Sequence, residues 1–93
     1  MRDCDFMSLP RSRADVLHEI HCEIERARVH SDKFANMHDA YAVILEELDE
    51  VWDITRQKKR DRDPVALRKE LIQVAAMAVK AIESMENLTG GSV

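Results

Sequence analysis

A chain of 93 residues holds at most one hydrophobic core, and a core of that size is marginal for a monomer, so assembly with further copies is expected. Hydrophobic residues make up 45% and charged residues 34%, with only two Gly and two Pro, which argues against a turn-rich β architecture and predicts an all-α helical bundle. The formal net charge of -4 provides no basic face for a nucleic-acid polymer, and no apolar run reaches the length of a membrane span, so neither is an expected partner.

Residues 1–11 are mixed in character, include Pro10, and read as an N-terminal arm. Cys4 and Cys22 have no framework spacing, which favours two free thiols in a reducing compartment. The first ten residues contain no apolar signal-like segment, so the expected location is the cytoplasm.

The helical domain is expected over residues 12–89, followed by a short tail at 90–93. Ser12 offers an N-cap with Asp15 three positions later, and Leu17, Ile20, Ile24 and Ala27 recur at helical spacing, which predicts a first helix over about residues 12–30. Asn36 and Asp39 repeat the cap pattern and open a second helix, from Met37 to about Arg60. Asp63 followed by Pro64 supplies a cap residue and a proline at the first helical position, starting a third helix that runs to about residue 88, with Gly90 and Gly91 as terminators.

The second helix crowds Glu46, Glu47, Asp49, Glu50 and Asp53 into eight positions. Like charges three and four residues apart repel by about 0.2–0.5 kcal/mol per pair. At 100° per residue the apolar side chains of this helix cover an arc of about 200°; Glu47 falls inside it, Glu50 just past its edge, and Glu46, Asp49 and Asp53 on the opposite face. On the third helix Glu70 projects between Met77 and Ala81, inside a comparable arc. A carboxylate on a core-facing arc is expensive unless it is paired or bound to a cation. Either Arg or Lys from a neighbouring helix answers Glu47 and Glu70, or Glu47, Glu50 and Glu70 converge on a metal. Oxygen ligands without His or Cys favour Mg²⁺ or Mn²⁺ over zinc.

The run EELDE at Glu46–Glu50, followed by ELIQ at Glu70–Gln73, resembles the MazG-like all-α nucleoside triphosphate pyrophosphohydrolases, whose pattern is E-E-x-x-E on one helix and E-x-x-D on the next. The similarity extends over about residues 30–86. The first motif matches at Glu46, Glu47 and Glu50, and the second at Glu70, but Gln73 stands where that family has aspartate. The resemblance implies hydrolysis of nucleoside triphosphates to monophosphate and pyrophosphate with Mg²⁺, or Mn²⁺; separately, apolar arcs of 200° and more are too wide for a 93-residue monomer to bury, which predicts a homodimer or homotetramer. The resemblance also implies Glu47, Glu50, Glu70 and position 73 as metal ligands, with Glu46 and Glu47 serving catalysis. Because Gln73 is neutral, a helical assembly or regulatory module that has kept the scaffold without turnover is the alternative.

Beyond these, His38, Lys58, Lys59 and Lys80 are candidates for binding the substrate, each set against a simpler reading as a capping or solvated side chain. Lys80 is expected on the polar side of the third helix. His18, His21 and Cys22 have a spacing that suits a transition metal, although His18 and Cys22 read as part of the polar side of the first helix. Tyr41 and Trp52 lie in the apolar arc, which favours core or subunit contact over base stacking.

Overall fold

The computed structural model describes residues 12–29 and 33–85. These form three α-helices and no strand: α1 (Arg13–Ala27), α2 (Met37–Thr55) and α3 (Pro64–Glu83), with a single 3₁₀ turn at Lys59–Asp61 between α2 and α3. The capping residues expected from sequence act as such. Ser12 accepts from the Asp15 amide, Asn36 from the Asp39 amide, and Asp63 from the amides of Val65 and Ala66. No helix among the described residues is long and apolar enough to cross a membrane. The N-terminal arm, residues 30–32 and the two C-terminal glycines lie outside the described residues.

Two helix ends depart from expectation. α2 stops at Thr55 rather than near Arg60. No apolar residue follows Ile54 before the proline of α3, so nothing after Thr55 can pay for helical order by packing, and Arg62 Nε instead donates to the Gln57 carbonyl (3.1 Å). α3 ends at Glu83, and the Ser84 hydroxyl that follows donates to the Lys80 carbonyl (2.7 Å). The same oxygen accepts from the Phe34 backbone N–H (3.0 Å), and Lys33 Nζ donates to the Glu83 carbonyl (3.1 Å). The entry to α2 is thereby clamped to the end of α3.

α3 is the central helix and packs against both α2 and α1. Ala76, fully buried, and Ala40 let the helices approach closely, while Ile24, Phe34 and Met77 fill the remaining core space. Lys80 is 7% exposed, not on a polar side as expected; its ammonium lies 4.6 Å from the Phe34 ring centroid, a cation–π contact that offsets part of the cost of burial. Glu19 of α1 and Arg68 of α3 form a nearly buried ion pair that ties these helices together.

Much apolar surface stays uncovered. Tyr41 and Trp52 are 66% and 59% exposed, and with Leu45 and Leu48 they form a stripe at i, i+4, i+7 and i+11 on α2. At 100° per residue this stripe is about 60° wide and turned roughly 100° from the face that meets α3, so one helix cannot bury both.

Candidate metal centre

Glu47 and Glu50 sit one turn apart near the middle of α2, and Glu70 lies on the facing side of α3. One carboxylate oxygen from each lies within 4.8 Å of the other two. This is the one such group of His, Cys, Asp or Glu among the described residues. Glu50 is exposed, Glu47 and Glu70 are half-buried, and Oε1 of both Glu47 and Glu70 is shielded from solvent without a hydrogen-bond partner. Among the described residues no Lys or Arg forms an ion pair with any of the three; Arg26 answers Glu23, Arg28 answers Glu25, Arg56 answers Asp53 and Arg68 answers Glu19. The expectation that Arg or Lys from a neighbouring helix balances Glu47 and Glu70 therefore fails.

Unbalanced charge shows in the proton affinities. Glu70 is pushed up to about 7, first by loss of solvent and then by its hydrogen bond to Glu50 and the charges of Glu50 and Glu47. Glu47 is raised as well, first by burial and then by the charge of Glu50. Two carboxylates that hold their protons more tightly than a free glutamate, each with an orphaned oxygen, beside a third, match what a hard divalent cation requires: oxygen donors and negative charge. The donor set fits Mg²⁺ or Mn²⁺ and lacks the nitrogen or sulfur that zinc favours.

Gln73, one turn beyond Glu70, points its face of α3 toward a cavity of about 310 Å³ lined by Glu23, Arg26, Ala27, Glu47, Gln73 and Met77. Glu47 thus borders both the carboxylate group and this cavity. Glu46 is exposed on the neighbouring side of α2. His38 lies in the first turn of α2, about 13 Å along the helix axis from Glu47, and is exposed. Lys58 and Lys59 are exposed beyond the other end of α2, and Lys80 is about 15 Å along α3 from Glu70. None of these four is gathered at the carboxylates.

At His18, His21 and Cys22 the outcome differs from expectation. Cys22 is buried and disulfide-bonded, so it is neither a free thiol nor a thiolate ligand. A count of two cysteines argues against a framework of bridges but permits a single one. His18 Nε2 lies 3.6 Å from Cys22 Sγ. Sequence reasoning missed Glu23 and Arg26. The signal was present, since Glu23 falls beside Ile20 and Ala27 on the wheel of α1, an acidic residue on an apolar arc as Glu47 is.

Compared with protein-family models, curated proteins and solved structures, the chain matches none.

Proposed function

We propose that the protein is a Mg²⁺-dependent nucleoside triphosphate pyrophosphohydrolase of the MazG-like kind, producing a nucleoside monophosphate and pyrophosphate. The observation that carries this reading is the convergence of Glu47, Glu50 and Glu70 within 4.8 Å with no ion pair to a basic side chain among the described residues. The E-E-x-x-E and E-x-x-Q runs that supply these residues add the resemblance. A divalent ion bound there neutralises a polyphosphate and activates water for attack on phosphorus. Glu47, Glu50 and Glu70 would hold it. Glu46, which is exposed, would orient the attacking water and take its proton, and Glu47 would join the metal site to the cavity it lines. Gln73 contributes at most one neutral oxygen to such a site, leaving the charge to the three glutamates.

The test is a panel of canonical and modified triphosphates with Mg²⁺ and Mn²⁺, read as monophosphate and pyrophosphate with no diphosphate intermediate. Absence of pyrophosphate from the whole panel, unrescued by Gln73→Asp, would leave the non-catalytic assembly module as the better account. That second reading draws on the exposed stripe Tyr41, Leu45, Leu48 and Trp52.

The stripe is also the proposed seam for a second copy. Its heptad-like spacing suits helix pairing, and covering it buries what a 93-residue protomer leaves exposed. Light scattering at micromolar concentration is expected to give a dimer or tetramer, and Leu48→Glu combined with Trp52→Glu a monomer. A monodisperse wild-type monomer contradicts the assembly. Cytoplasmic placement belongs to the same proposal, since nucleoside triphosphates are made and used there; the disulfide at Cys22 is the feature that runs against it.

A further inference from the structure

The cavity between α1, α2 and α3 differs in kind from a second concave surface among the described residues. That second groove, about 260 Å³ beside Tyr41, Ile82 and Met85, is lined by apolar side chains and has nothing to orient a small molecule. The first, about 310 Å³, combines apolar surface from Ala27 and Met77 with the carboxylates of Glu23 and Glu47, the guanidinium of Arg26 and the amide of Gln73. A few polar groups converging on an apolar wall is the composition of a small-molecule site. Its volume is at the low end of the ~300–1,000 Å³ range of such sites, enough for a heterocycle and too small for a whole nucleoside triphosphate.

Charge decides which part of a nucleotide it takes. Two carboxylates face one guanidinium, and that guanidinium already pairs with Glu23. A phosphate would be repelled, whereas a neutral ring with N–H donors is attracted. Glu23 accepts hydrogen bonds only, and the Gln73 amide both donates and accepts. We infer that this cavity is the base-recognition subsite, in which Glu23 and Gln73 read a base whose exocyclic amino group adjoins a ring-nitrogen acceptor, cytosine or adenine, while Ala27 and Met77 cover its face. This deepens, and rests on, the pyrophosphohydrolase reading, because Glu47 links the cavity to the carboxylates that would meet the phosphates. Gln73 thereby acquires a role as a reader of the base, which a metal-ligating aspartate at that position could not perform.

Nucleosides carry no phosphate and need no cation, so they separate this inference from the reaction. Amide NMR titration of the intact protein with cytidine, adenosine, guanosine and uridine, without metal, is expected to perturb Ala27, Gln73 and Met77. Cytidine or adenosine should bind about tenfold tighter than uridine, the value of one net hydrogen bond. Glu23→Gln, which keeps the shape and adds a donor, is expected to erase that preference, and Gln73→Leu to weaken binding of every nucleoside. Shifts that map to the Tyr41–Ile82 groove, a preference for uridine, or binding unaltered in both Glu23→Gln and Gln73→Leu would overturn the inference even if pyrophosphate is released. Nucleoside binding in the cavity of a protein that hydrolyses nothing would instead sustain it and remove the enzyme reading alone.

Discussion

Glu47→Ala is expected to slow pyrophosphate release at least about 10²-fold, the size typical of losing one electrostatic element or a group that supports a metal. Glu47 borders both the carboxylate group and the adjoining cavity, so its removal affects cation retention and substrate placement together. Steady-state rates with a saturating triphosphate, at a Mg²⁺ concentration varied until the rate no longer changes, separate the two effects. A deficit that disappears at high Mg²⁺ is one of affinity; a deficit that persists is one of placement. Unchanged rates at all Mg²⁺ concentrations would remove Glu47 from the site. Gln73→Asp is the converse substitution. It adds a carboxylate beside Glu47 and is expected to tighten Mg²⁺ binding while altering the preference among bases, because position 73 lines the cavity.

The metal-free protein is expected to lose stability as pH rises from about 4.5 to about 7, and Mg²⁺ or Mn²⁺ to reverse that loss. Native Glu70 holds its proton up to about 7, whereas an unfolded glutamate releases it near its ordinary value of 4.5. Between those values the native state binds more protons than the unfolded state, so the stability contributed by that proton is complete below the window and gone above it. Glu47 shifts in the same direction and adds to the slope. A cation needs the deprotonated carboxylates, so its binding releases protons and strengthens across the same window. Thermal melts at pH 5, 6, 7 and 8, with and without Mn²⁺, check both slopes. Glu70→Gln should flatten the metal-free slope, raise the melting temperature at pH 8 and remove the metal-dependent rise. Persistence of that rise in a Glu50→Gln, Glu70→Gln double variant would place the metal elsewhere.

Helices, caps and the anomalous carboxylates were all legible in the sequence, because each depends on neighbours within one turn or on a 100° step. Ser12, Asn36 and Asp63 cap from three residues away or fewer, and they cap as expected. The angular positions of Glu47 and Glu70 marked both as facing packed surface, and both are half-buried with a shielded oxygen. What holds the end of α3 was less legible, because its partner is distant: Ser84 accepts from the Phe34 backbone N–H, fifty positions earlier.

Only the tertiary structure decided which charges are answered and which are not. By sequence Glu19 and Glu47 are both acidic residues on helices, yet Arg68 of α3 reaches Glu19 and, among the described residues, no basic side chain pairs with Glu47. Lys80 read as a solvated lysine until the loop carrying Phe34 folded over it. Cys22 read as a free thiol because one disulfide leaves no spacing pattern. Glu23, Arg26 and Gln73 come from helices far apart in the chain and share a cavity because α3 packs against α1 and α2 at once. Periodicity fixes the direction of a side chain about its own helix axis, but its partner depends on how the helices are placed against one another, and that placement follows from packing across the whole core.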